Sequence, residues 1–217
     1  MSTDEPLIRW DWIASHVPDI AARVGEHLVL VGIAVGAGLV MAFALALLAI
    51  WRPRLYGPIV WITGTLYTIP SLALFALLIP FTGLSLLTAE IGLVGYTLLI
   101  LVRNIVIGIR EVPAEVRESA TAMGYSPVQR FALVELPIAV PAIVAGVRLA
   151  TVTTIGLVTV TAVIGQGGLG SLILDGLILF FSTPLIVGAA LSVLLAVAAD
   201  AGLALVQRAV TPWSRAR

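Results

Sequence analysis

The chain has 217 residues, 60% hydrophobic and 11% charged, with a mean hydropathy of +1.11 and a formal net charge of zero. Soluble domains carry about 25% charged residues, so this is the composition of a membrane protein, and its neutrality does not suggest nucleic acid as a partner. There is no cysteine, which removes disulfides, thiol catalysis and cysteine-based metal sites.

The opening "MSTDEPLIRWDWIASHVPDI" is acidic and lacks a basic stretch ahead of an apolar core, so it does not read as a cleaved signal peptide. Trp10 and Trp12 suit a segment lying on the membrane surface. The charges of residues 1–25 argue against spanning, and these residues are expected to form an extracytoplasmic or interfacial segment. His16 and His27 have no third ligand nearby; they read as interfacial polar residues, and no metal site is expected.

A helix needs roughly 20 apolar residues to cross the hydrocarbon core. Five windows qualify, at about 28–50, 58–80, 86–108, 138–164 and 184–207, within a membrane domain over 26–212. The stretch 171–181, "SLILDGLILFF", is too short to span and reads as a re-entrant or interfacial helix. Basic residues fall in alternate connections: Arg52 and Arg54, then Arg110, Arg117 and Arg130 with Arg103 at their edge, then Arg208, Arg215 and Arg217. The positive-inside rule puts those connections and the tail 213–217 in the cytoplasm and the N-terminus outside. The expected fold is an all-α integral membrane protein with five spans.

The cytoplasmic segment 111–137 interrupts the apolar pattern. Pro113 suits a first helical turn, Glu115 and Glu118 sit near that positive end, and Gly124 suits the left-handed residue that stops a helix running through Met123. Ser126-Pro127-Val128-Gln129 is a capping box for a second helix. Val116, Ala120 and Met123 share one face of the first helix. A plain linker needs fewer residues, so the pair reads as a docking element for a soluble partner.

These residues resemble the cytoplasmic signature of bacterial ABC importer permeases: Glu-Ala-Ala, three residues, Gly, nine residues, Ile, one residue, Leu-Pro. The chain has Glu118, Ser119 and Ala120, then Gly124, then Val134, Glu135, Leu136 and Pro137 at the same spacing, with Ser119 and Val134 as mild departures. The resemblance implies a type I importer permease in the bacterial cytoplasmic membrane. It implies two short coupling helices that dock on an ATPase through Glu118, Ser119, Ala120, Met123, Gly124, Tyr125, Ser126 and Pro127. "TLYTIPSLALFALLIPFTGLS" (65–85) and "VIGQGGLGSLILDGL" (163–177) are similar to osmoprotectant permeases for glycine betaine, choline and carnitine; the glycine loop is shared with methionine-type permeases. The implied partners are a second permease copy or a sister permease, two ATPase subunits and an external substrate-binding protein.

Gly165, Gly167 and Gly170 also satisfy Gly-x-Gly-x-x-Gly. A dinucleotide site is rejected, because the loop follows a span rather than a strand and no acidic residue stands about 20 positions later. With Gly168 they read as an outer gate loop, or as a glycine turn with no contact to cargo. Intramembrane charges usually face protein, so Arg148 and Asp200 are expected to pair as a structural contact, while Arg103 snorkels to the inner surface. Thr68, Pro70 and Ser71, with Thr151, Thr153 and Thr154, either line a pathway or allow close helix packing. Trp61, Tyr67, Phe75 and Tyr96 are aromatic faces within spans, suited to a quaternary ammonium ion.

No Gly-Lys-Ser/Thr loop or catalytic set occurs. The chain is therefore expected not to be an enzyme and to hold no cofactor, with ATP and Mg on the partner subunit. Two alternatives stay open: the same permease role with methionine or another amino acid as cargo, or a secondary transporter that works without ATP.

Overall fold

Every described element is helical. A computed structural model describes residues 6–211. In chain order the helices are α1 (Trp10–Ser15), α2 (Val17–Trp51), α3 (Tyr56–Thr68), α4 (Ser71–Thr82), α5 (Leu86–Arg110), α6 (Ala114–Ala122), α7 (Pro127–Arg130), α8 (Leu136–Val158), α9 (Leu169–Ile178) and α10 (Ser182–Val210). Helices α2, α5, the run Pro127–Val158 and α10 are long and apolar enough to cross a membrane, and α3 with α4 makes a fifth apolar pair. The expected tail 213–217 and residues 1–5 lie outside the described residues.

Three boundaries differ from expectation. The window 58–80 is not one helix: it is broken at Ile69 and Pro70, with a bend of 98°. Pro70 lacks an N–H and pushes the residue before it out of helical geometry; it then caps α4, whose Leu74 N–H donates to the Pro70 carbonyl at 2.9 Å. Helix α2 begins at Val17, well before the hydropathy window at 28, because Asp19, Arg23 and Glu26 lower the hydropathy without breaking the helix. At about 1.5 Å per residue the 35-residue α2 is roughly 52 Å long, more than the hydrocarbon core needs. Helix α8 stops at Val158 and gives way to a 3-10 turn over Val160–Ile164, short of the expected 164.

The chain divides into two units. Of the described residues, one holds 37–68, 95–150 and 199–211. Its core packs Ala42, Ala46 and Ala49 of α2 with Leu98, Leu101, Val102 and Ile105 of α5 and Ala150 of α8. The alanines recur at helical spacing, and small side chains let helices approach closely in a bilayer. The other unit holds residues 6–36, 69–94 and 151–198. In it the start of the chain is tied to the start of α10: Arg9 N–H donates to Thr183 Oγ1 at 3.0 Å, and Ser182 Oγ donates to the Leu7 carbonyl at 2.8 Å. Trp12 meets the Phe181 ring edge-on at 5.7 Å.

Candidate functional site

Helix α6 ends as its sequence demands. Gly124 has φ +87°, its N–H donates to the Thr121 carbonyl at 3.0 Å, and the Tyr125 N–H donates to the Ala120 carbonyl at 3.2 Å. This is a Schellman closure, which satisfies carbonyls the helix end leaves free. The next helix starts two residues later with a complete capping box: Gln129 N–H to Ser126 Oγ at 3.3 Å, and Ser126 N–H to Gln129 Oε1 at 2.9 Å. Two closures back to back fix the tip. Along the face shared by Val116, Ala120 and Met123, Ala120 is buried, Val116 half-buried and Met123 68% exposed, and Val128 of the next helix is 67% exposed. Glu118, Tyr125 and Pro127 are exposed too, and Ser119 Oγ donates back to the Glu115 carbonyl at 2.7 Å. A groove of about 410 Å³ lies beside the tip, lined by Arg117, Glu118, Thr121, Ala122 and Arg130.

The second short helix has four α-helical residues and then runs on through a π-turn, Phe131–Glu135, into α8. Glu135 ends that turn, 6% exposed, with Oε1 2.9 Å from Arg130 Nε and 3.7 Å from Arg117 Nε. Arg117 also donates to the Ile109 carbonyl at the end of α5, and Arg130 Nη1 donates to Thr121 Oγ1 at 3.2 Å.

The structure brings Arg148 and Asp200 together. Arg148 Nε and Nη2 donate to Asp200 Oδ1 and Oδ2 at 2.9 and 3.0 Å, the two-bond fork that makes arginine–carboxylate pairs directional. Nη1 reaches Gln207 Oε1 at 2.9 Å, and Gln207 Nε2 donates to the Pro141 carbonyl at 3.1 Å.

In the outer loop Gly165 and Gly168 have φ +77° and +43°. Gly168 presses on α2, where a Cβ would stand 2.7 Å from His27 N and 2.8 Å from the Arg23 carbonyl. Gly167 and Gly170 are buried. His27 is not interfacial: it is fully buried, with Nε2 3.1 Å from the Ile155 carbonyl. The other histidine, His16, stacks on the Trp12 ring at 4.2 Å. A cavity of about 350 Å³ opens beside the loop, lined by Arg23, Glu26, Leu86 and Gly165–Gly168 among others. Of the candidate pathway residues, Thr68 and Pro70 are exposed, Ser71 and Thr151 half-buried, and Thr154 buried. The Thr68 hydroxyl is turned back onto the Thr65 carbonyl at 2.7 Å.

Residues 34–212 match the family described as "binding-protein-dependent transport system inner membrane component". The chain belongs to this family. It is a multi-pass permease of the inner membrane, similar to ABC importer subunits for osmoprotectants. It is 37% identical over 194 residues to the choline transport system permease protein OpuBB of Bacillus subtilis (strain 168), covering 89% of each chain. To the osmoprotectant import permease protein OsmW of Salmonella typhimurium (strain LT2) it is 37% identical over 198 residues, covering 89% of this chain and 92% of the other. Among solved structures, an inward-facing form of the MetNI methionine ABC transporter matches with a TM-score of 0.80 at 26% identity, covering 88% of this chain and 96% of that one. The family is that of a transporter permease and not itself an enzyme.

Three polar residues of the permease escaped the sequence reading. Glu135 occupies the unspecified position of the signature, where nothing in the motif signals burial. Gln207 was hidden because its partners, Arg148 and Pro141, are distant in sequence. Glu90, in α5, is 8% exposed and both its carboxylate oxygens are buried without a hydrogen-bond partner. Its charge inside an apolar window was the available signal, since such groups are costly.

Proposed function

We propose that this permease forms, with a second copy or a sister permease, the translocation pathway of an ATP-driven importer for a quaternary-ammonium osmoprotectant such as choline, glycine betaine or carnitine. An external binding protein delivers the cargo. Two ATPase subunits bind ATP and Mg and dock at the tip built by Glu118–Pro127. The observation that carries this reading is that tip: two interlocked caps hold Met123, Tyr125 and Val128 exposed on the connection that the arginine count puts in the cytoplasm. Closure of the ATPase pair would push on it and switch the pathway between inward and outward access. Thr68, Pro70, Ser71, Thr151 and Thr154 border that pathway, Gly165, Gly167, Gly168 and Gly170 shape its outer gate, and the Arg148–Asp200 pair holds helices in register. The relatives' names support the cargo class. Family membership weighs against an ATP-independent transporter, and the MetNI likeness keeps methionine as a second reading.

The test is purification of the tagged permease from its native membrane in mild detergent, with mass spectrometry of the retained proteins, beside a Gly124→Arg variant. An ATPase retained by the wild type and lost by the variant is the expected outcome; the retained binding protein is then assayed for choline and for methionine. A wild type that brings no ATPase after gentle crosslinking overturns the reading.

A further inference from the structure

We propose that Glu135 is a positioning residue: it braces the π-turn between α7 and α8 and locks α6 to it, so that force applied at the cytoplasmic tip reaches α8 instead of being absorbed at the turn. The inference rests on the ATPase-docking reading above.

Three observations meet here. A π-turn is rare, sits inside an otherwise α-helical run, and is one of the few places where a helix kinks, so it marks a joint. In this chain it stands between the exposed tip and the start of a spanning helix, over Phe131–Glu135. The residue just before the joint is Arg130 and its last residue is Glu135, and their side chains meet at 2.9 Å. That one ion pair bridges the turn from end to end. The second arginine comes from α6: Arg117 Nε lies 3.7 Å from the same carboxylate oxygen, and its guanidinium also donates to the Ile109 carbonyl closing α5. Arg130 reaches α6 as well, through Thr121. A single carboxylate thus gathers the end of α5, α6, α7 and the start of α8, all within one unit of the chain.

Charge is a poor way merely to fill this space. A buried ion pair is often matched or bettered in stability by apolar residues of similar volume, but removing one partner alone is costly. What the charged cluster adds is connection: Glu135 Oε1 accepts one hydrogen bond from Arg130 Nε and stands within ion-pair range of Arg117 Nε, so one carboxylate ties the turn both to its own start and to α6. Without these contacts, a displacement of α6 would flex the wide turn and leave α8 in place.

The experiment uses the permease purified with its retained ATPase and placed in lipid nanodiscs. The chain has no cysteine, so Gln166→Cys in the outer loop supplies the one reporter thiol on this subunit. Its labelling by a membrane-impermeant maleimide is timed with and without ATP and vanadate. With Glu135 intact, ATP and vanadate are expected to change the labelling rate by roughly fivefold or more, the lower end of typical coupling between sites. Glu135→Ala is expected to keep the ATPase bound and hydrolysing while the labelling change shrinks to less than about twofold. Glu135→Gln keeps the shape and loses the charge; it is expected to fall between, and it carries the test if the alanine variant does not fold. A full labelling change in these variants overturns the inference and leaves the docking reading standing. Loss of the ATPase from the variants also overturns it, by making Glu135 part of the docking surface. An ATPase absent from the wild type overturns both.

Discussion

The cytoplasmic tip and the outer loop each turn on a left-handed glycine, yet they are built in opposite ways. Gly124 has φ +87° and open space where a Cβ would go, and its turn is closed by atoms within a few residues on either side. Gly168 has φ +43° and meets the α2 backbone, from a segment about 140 residues earlier in the chain, as the sequence positions show. The first turn is a local event and leaves its side chains free for a partner. The second is packed against a distant helix, so a side chain placed there would have to displace α2 backbone.

Alanine at the two glycines breaks or sharpens that contrast, and gives the largest effect expected. Gly168→Ala combines a strained backbone with a clash against atoms that cannot step aside, for a loss of roughly 3 kcal/mol or more. Gly124→Ala carries the backbone term alone, about 1 kcal/mol. Thermal unfolding in nanodiscs should separate them clearly. Equal losses would mean that the outer loop yields to α2 and is not held by it.

The Arg148–Asp200 pair comes next in size. Asp200→Ala leaves a guanidinium within a spanning region with Gln207 as its remaining side-chain partner among the described residues, and a loss of roughly 2 kcal/mol is expected, less than for a fully buried pair because both side chains are partly exposed. The double variant Arg148→Leu, Asp200→Leu should recover most of that loss. Failure to recover would point to work for the pair beyond holding helices. This contact lies between the two extremes above: its members announce themselves as charges in apolar helices, but their partnership spans 52 residues.

The same division explains what sequence could reveal. The Ser126–Gln129 capping box, the stop at Gly124 and the short α9 follow from neighbouring residues, and each is legible. The break at Ile69 and Pro70 was half legible: a proline inside an apolar window can end or kink a helix, but hydropathy counts apolar residues and not directions. The early start of α2 was obscured because Asp19, Arg23 and Glu26 depress a hydropathy window while leaving helical geometry untouched. His27 and Glu135 were misread or missed for one reason, that a polar residue's burial depends on elements remote from it. His27 needs the Ile155 carbonyl, and Glu135 needs Arg117 from a different helix.

Ser119→Ala is the smallest and most local prediction. It restores the alanine of the permease signature. The Ser119 hydroxyl bonds back to the Glu115 carbonyl and the residue is exposed, so nothing distant depends on it. Such back-bonding slightly disfavours a helix interior, and alanine is the better helix former by about 0.5 kcal/mol. The variant should be marginally more stable in the unfolding assay and should retain the ATPase as the wild type does. If retention falls instead, the hydroxyl touches the partner, and the tip reads its ATPase through a residue that differs from the signature rather than in spite of it.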